Sequence, residues 1–140
     1  NVTGGAIYKS AKTIGYTIDW DAYGSVEYVE LSELVSMRNT ARRFFEDNWI
    51  VLEDTEKFTS VQLYDFLRVT KYYENVFTPE TIDTIFDMND KDIIRVVSEL
   101  SKGMKDTIAT RAKEKIDAKE LDSNKKIEAL EAALNVKFSI

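Results

Sequence analysis

The spacing of apolar residues changes character along this chain, and each change marks a change of predicted structure. In residues 1–30 the apolar positions come in short β-prone runs. Ala6-Ile7-Tyr8, Tyr16-Thr17-Ile18-Asp19-Trp20 and Val26-Glu27-Tyr28-Val29 are punctuated by Gly15, Gly24 and the Asp21–Ser25 stretch. This β-rich part predicts a meander of two or three strands. A meander that small cannot stand alone and must pack on a helix or on another subunit.

From residue 31 to residue 135 the spacing is helical. Leu31, Leu34, Val35, Met37, Ala41, Phe44 and Phe45 recur with helical spacing and predict a helix over Ser32–Asp47. Asn48-Trp49-Ile50-Val51-Leu52 reads as a short strand returning to the sheet, and Glu53–Glu56 as a solvated connection. Three helix starts then follow. Thr59 is a predicted N-cap with Gln62 at the capping-box position and Phe58 placed to staple onto Leu63. Thr78 caps the next helix, with Pro79 at its first position. Asn89 caps the third, with Asp92 three residues on.

The third helix reads as long. Ile93, Val97, Leu100, Met104, Ile108, Ala112 and Ile116 form one stripe that keeps its phase across Gly103, which predicts continuation through the glycine. Asp122 or Ser123 starts a last helix with Ile127, Leu130 and Leu134 inward, and Asn135 is suited to a left-handed stop. In the tail, residues 136–140, Val136, Phe138 and Ile140 alternate as in a strand. The expectation is a single α+β domain over residues 1–140, a small antiparallel N-terminal sheet packed on a bundle of about four or five helices.

Composition narrows the chemistry. The chain has no histidine and no cysteine. It therefore lacks the commonest proton carrier near neutral pH, the strongest nucleophile and the usual zinc ligands. No Walker loop, G-x-G-x-x-G or G-x-S-x-G pattern is present. The expectation is a protein that is not an enzyme and uses no cofactor, metal or catalytic residue. No run is long and apolar enough to span a bilayer, and the opening residues are not expected to be a secretory signal.

The formal net charge is −6, which argues against nonspecific affinity for nucleic acid or an anionic membrane. The charge is uneven: residues 1–100 carry 10 Lys/Arg against 18 Asp/Glu, whereas residues 101–140 carry 9 against 7. The basic stretch Lys102, Lys105, Arg111, Lys113, Lys115 and Lys119 is interrupted by Asp106, Glu114 and Asp117, the composition of a solvated helix face rather than a phosphate-binding one.

Two acidic motifs invite a metal reading. Asp87-Met88-Asn89-Asp90 opens like an EF-hand loop, but Lys91, Asp92 and Ser98 stand where an oxygen ligand, a glycine and a bidentate glutamate belong, and capping explains the residues better. Asp19-Trp20-Asp21 sets two carboxylates on one side of a strand end, where a hard cation such as magnesium could use them, but the pattern is more at home in a turn.

The rings of the β-rich part are more informative. Tyr8, Tyr16, Trp20, Tyr23 and Tyr28 crowd a sheet that can hide only one face. Tyrosine and tryptophan suit interfaces, where one side of the ring is buried and the polar tip stays wet, and simple cross-strand pairing within the sheet accounts for the same rings equally well. Tyr8, Tyr16, Trp20, Tyr23 and Phe138 are the candidate protein-binding residues, with strand addition at an exposed edge as the expected mode.

Two longer stretches, Tyr28-Val29-Glu30-Leu31-Ser32-Glu33-Leu34-Val35-Ser36-Met37-Arg38-Asn39 (with Phe44-Phe45 and Asn48-Trp49-Ile50 behind it) and Glu120-Leu121-Asp122-Ser123-Asn124-Lys125-Lys126-Ile127-Glu128-Ala129-Leu130-Glu131, resemble small structural proteins of tailed bacteriophages. The resemblance implies a virion component of the head, neck or tail, assembled in the host cytoplasm and binding other virion proteins or copies of itself. The alternative is a small soluble regulatory or inhibitory protein that binds a host protein.

Overall fold

The alternation in the first two β-prone runs becomes a two-stranded antiparallel ribbon, β1 (Ala6–Lys9) and β2 (Thr17–Trp20), in which Ala6 faces Trp20 and Tyr8 faces Ile18. This is a computed structural model that describes residues 5–138. Expectations that fall on residues 1–4 or on Ile140 lie outside the described residues. Six α-helices follow among them: α1 (Leu31–Thr40), α2 (Arg43–Glu46), α3 (Ser60–Leu67), α4 (Asp90–Ser98), α5 (Lys102–Asp117) and α6 (Asn124–Leu134). Two 3₁₀ helices, Thr70–Tyr72 and Ile82–Asp87, complete the order. The fold is α+β. Its contacts gather into two compact units, Asn1–Val76 and Phe77–Ile140.

In the first unit the ribbon's inner face and the helices share one core of Tyr8, Ile18, Trp20, Leu34, Met37, Phe44, Phe45, Ile50, Leu67 and Val69. The helix expected over Ser32–Asp47 is broken. Ala41 leaves helical geometry (φ −139°, ψ 52°) while its N–H still donates to Met37 O, and the turn it makes buries both Phe44 and Phe45.

Two strands expected here are not formed. Residues 26–29 join no ladder: Val29 packs against the core, whereas Val26 and Tyr28 stay exposed, so their β propensity lacks a partner surface. Residues 48–52 do not return to the sheet either. Asn48 takes a left-handed conformation (φ 53°) that redirects the chain. The extended segment after it is then held by side chains. Leu52 N–H donates to the Tyr64 hydroxyl at 2.8 Å, and the Tyr73 hydroxyl donates to Ile50 O at 2.7 Å. Two tyrosines do the work of a neighbouring strand, meeting backbone groups that would otherwise be left without partners.

The predicted cap of α3 is present in full: Gln62 N–H donates to the Thr59 hydroxyl and Thr59 N–H donates to the Gln62 carboxamide oxygen. Its staple partner Phe58 is exposed. The helix ends on Arg68, in the left-handed region at φ 59°, with Val69 N–H reaching Tyr64 O and Arg68 N–H reaching Asp65 O.

In the second unit Thr78 does not begin an α-helix. Its carbonyl accepts from Thr81 and Ile82, its own N–H donates to the Thr81 hydroxyl, and the turn leads into the 3₁₀ helix Ile82–Asp87. Asn89 caps α4 as expected, accepting from Asp92 N–H at 2.9 Å. The long third helix is two helices. The break lies at Leu100–Ser101 rather than at Gly103, because the Ser101 hydroxyl accepts from Met104 N–H and caps α5. The stripe is nevertheless buried on both sides of it: Ile93, Val97, Leu100, Met104, Ile108 and Ala112 are all core. Helix α6 starts at Ser123, stops at left-handed Asn135 (φ 55°), and packs closely on α4. Residues 136–138 form no strand: the Phe138 N–H donates to Glu131 Oε2 at 2.9 Å, folding the tail back on α6.

Candidate protein-binding surface

The period of two along the ribbon sorts its side chains into opposite faces. Tyr8 and Trp20 fall on the inner face and are 1% and 4% exposed. Both meet Phe44, Tyr8 edge-on with centroids 5.7 Å apart and Trp20 tilted at 6.2 Å. This corrects the expectation that their rings lie on an outer face. The core needed large rings because helices and ribbon share a single apolar layer, and these two positions point into it. Tyr16 and Tyr23 are half-buried, Tyr16 against the core just before β2 and Tyr23 in the turn closed by Ser25 N–H on Ala22 O. Phe138 is also half-buried. The structure does not bring Phe138 together with the ribbon in one unit.

Behind the ribbon, Glu33 holds the hairpin to α1. It stands in the third helical position, where an acidic residue suits the helix dipole. Although it is buried, its carboxylate accepts from three hydroxyls: Tyr8 on Oε2 at 3.2 Å, and Ser10 and Thr13 on Oε1 at 3.0 and 3.2 Å. Ser10 in turn accepts from the N–H groups of Lys12 and Thr13, so one carboxylate organises the whole hairpin loop. Burial pushes the Tyr8 hydroxyl above its ordinary pKa, the Ser36 hydroxyl pulls against that, and the neighbouring Glu33 carboxylate adds to it.

The outward face of the ribbon carries Ile7, Lys9, Thr17 and Asp19, all exposed. It is a sheet of two strands among the described residues, so each strand is an edge. The exposed apolar residues gather nearby in sequence. Of the ten large apolar side chains left exposed among the described residues, eight belong to the first unit: Ile7, Ile14, Val26, Tyr28, Leu31, Phe58, Val61 and Phe66. That bias matters more than any single residue, since scattered exposed apolar groups are ordinary. The sequence pattern gave Phe58 only the role of a staple onto Leu63 and did not single out Val61 and Phe66. Their signal was the excess of apolar positions in α3 over what one buried face of eight residues can use.

The second unit offers a different surface. Of the basic stretch, Arg111 grips Asp83 with two hydrogen bonds of 2.9 Å, Lys113 pairs with Asp117, and Lys115 lies between Asp83 and Glu120. The Arg111 guanidinium holds the Asp83 carboxyl below its ordinary pKa. By unit, the charge asymmetry of the sequence fades: residues 1–76 carry 8 Lys/Arg against 12 Asp/Glu, and residues 77–140 carry 11 against 13.

A depression at the end of α6 is lined by Glu128, Glu131, Ala132, Asn135, Val136 and Lys137, and Glu131 is already engaged by the Phe138 backbone. Among the described residues no group of three acidic, histidine or cysteine side chains is placed to hold a metal ion, and no helix is long and apolar enough to cross a membrane. Compared with known proteins, the chain matches no family model, no curated protein and no solved structure.

Proposed function

We propose that this chain is a non-enzymatic assembly protein, a component of a tailed bacteriophage particle that works by being covered by neighbouring subunits. The observation that carries the reading is the concentration of exposed large apolar side chains in the first unit. A chain that acts alone gains nothing from leaving Tyr28 98% exposed and Val61 71% exposed, whereas a subunit buries such groups when its partner arrives. The two open edges of the ribbon add backbone donors and acceptors for strand addition by a virion partner, with Ile7 and Lys9 on one edge strand and Thr17 and Asp19 on the other. The likeness of residues 28–39 and 120–131 to phage structural proteins supplies the particle.

Mass spectrometry of purified phage particles from the source tests the reading. The chain is expected at a fixed stoichiometry in particles washed with high salt. Its absence from particles, together with a one-to-one complex with a single host protein, would overturn the assembly reading in favour of a host-directed regulator.

A further inference from the structure

We infer that copies of this chain join head to tail through the ribbon, the free edge of β2 in one copy taking the free edge of β1 in the next. The inference deepens the assembly reading and rests on it. The register of the hairpin decides which backbone groups are left over. Ser10 N–H donates to Tyr16 O at 2.9 Å, which makes Ser10 and Tyr16 a hydrogen-bonded pair. Such pairs alternate along an antiparallel ladder, so Tyr8 with Ile18 and Ala6 with Trp20 are of the same kind. The residues between them, Ile7 and Lys9 on β1 and Thr17 and Asp19 on β2, turn their N–H and C=O groups away from the partner strand. Among the described residues none of those groups has a hydrogen-bond partner, and all four residues are exposed.

A second copy is the occupant because each edge supplies what the other lacks. The two strands are equal in length, four residues each. Inside the hairpin Ile7 already opposes Asp19, and Lys9 already opposes Thr17. A neighbouring copy that continues the sheet in this same register repeats both oppositions across two chains, now as hydrogen-bonded pairs. Every outward N–H and C=O of the two edges is then matched. The charges agree with this order. Lys9 and Asp19 take part in no ion pair among the described residues. In the continued sheet Asp19 lies diagonally between the Lys9 of its own copy and that of the next, so opposite charges alternate across the outer face. Two-fold pairings do the reverse. Joining β1 to β1 about Tyr8 sets Lys9 diagonal to Lys9, and joining β2 to β2 about Ile18 sets Asp19 diagonal to Asp19. Each also leaves the other edge of both copies open, whereas head-to-tail order covers both edges of every interior copy. Such a contact closes into a ring or grows as a filament.

Sedimentation velocity of the full chain from about 10 μM to about 1 mM tests the pairing. Growth past the dimer is expected as concentration rises. Lys9→Pro removes an outward N–H of β1 and no bond inside the hairpin, and Thr17→Pro does the same for β2. Each variant alone is expected to stay monomeric with the parent's thermal melt. A mixture of the two is expected to form one-to-one dimers, β2 of the Lys9→Pro copy against β1 of the Thr17→Pro copy. Where proline disturbs the hairpin, charge gives the same answer: Lys9→Glu is expected to weaken association severalfold, and Lys9→Glu with Asp19→Lys to restore it. A parent chain monomeric at about 1 mM overturns the inference. So does self-association kept by either proline variant, a mixture that stays monomeric, or a double charge swap that fails to restore. The two readings fail separately: a head-to-tail series formed by a chain missing from particles sinks only the virion reading, and a monomeric chain found in particles sinks only this contact.

Discussion

Tyr64 and Tyr73 stack with their ring centroids 4.0 Å apart and their planes 14° from parallel, and their hydroxyls hold the backbone two residues apart, at Leu52 N–H and Ile50 O. The pair replaces a strand partner for a segment that the sheet never receives. Tyr64→Phe leaves the Leu52 N–H without an acceptor and Tyr73→Phe leaves the Ile50 carbonyl without this donor. Each is expected to cost about 1–2 kcal/mol in a urea melt, and Tyr64→Phe is expected to speed hydrogen exchange at the Leu52 amide specifically.

The same burial sets an alkaline limit. Burial pushes the Tyr64 hydroxyl up to about 12 and holds that of Tyr73 well above its ordinary value, the Tyr64 charge adding to the latter. The folded state therefore keeps these protons when the unfolded chain gives them up at about pH 10. Their contribution is complete below about pH 10 and is lost as pH rises toward about 12. Spectrophotometric titration is expected to show a late group of tyrosines whose ionisation coincides with loss of the first unit's structure.

Glu33 gathers three hydroxyls from a strand and a loop onto one buried carboxylate. Glu33→Gln keeps the shape but exchanges an acceptor oxygen for a donor, so at least one hydroxyl loses its partner. The expected cost is about 2–3 kcal/mol, because hydrogen bonds to a charged group are the strong ones. Tyr8→Phe alone is expected to cost about 1 kcal/mol, and the double variant less than the sum, since both changes remove the same bond.

Asn48 combines a left-handed backbone with a side-chain amide that donates to Tyr72 O at 2.7 Å and to Phe45 O at 3.3 Å. Glycine at this position keeps the conformation and loses the amide, while alanine loses the amide and adds steric strain. Asn48→Ala is expected to destabilise by about 1 kcal/mol more than Asn48→Gly, measured by chemical denaturation.

In the second unit, Arg111 lowers the Asp83 carboxyl pKa chiefly through its two hydrogen bonds. Stability from this pair is present above the unfolded value of about 3.9 and is lost as pH falls through the lower folded one. The carboxylate is half exposed, so solvent screens the pair and the contribution is at most about 1 kcal/mol. Asp83→Asn is expected to flatten the acid limb of the stability curve while changing neutral stability little.

Helix α5 ends at Asp117, and two residues on Lys119, a residue with a side chain, takes the left-handed region at φ 60°, where Glu120 N–H closes onto Lys115 O. Lys119→Gly is expected to stabilise by about 0.5–1 kcal/mol, since glycine takes this conformation without the steric penalty. A rise in the midpoint of thermal unfolding checks it.

What the sequence by itself determined were the features that depend on neighbours a few residues away. Thr59 with Gln62, Asn89 and Ser123 place their helix starts, Asn135 places a helix end, and of the stripe from Ile93 to Ile116 every member but the half-buried Ile116 is core. These are local hydrogen bonds and a periodicity, and both are written in adjacent positions. The stripe could not reveal that the helix divides at Ser101, because two helices bury such a stripe as well as one does.

Tertiary structure decided the rest. Whether an amphipathic ring lies in the core or on the surface depends on which face the helices cover. Tyr8 and Trp20 went inward against Phe44, while Tyr28, Phe58, Val61 and Phe66 are among the apolar groups left without cover. Whether residues 50–52 join a sheet depends on which polar groups reach their backbone first, and Tyr64 and Tyr73, which come 12 and 23 residues later along the chain, reach it. Contacts across such separations have no signature in the spacing of residues, because the folded chain creates the neighbours that make them.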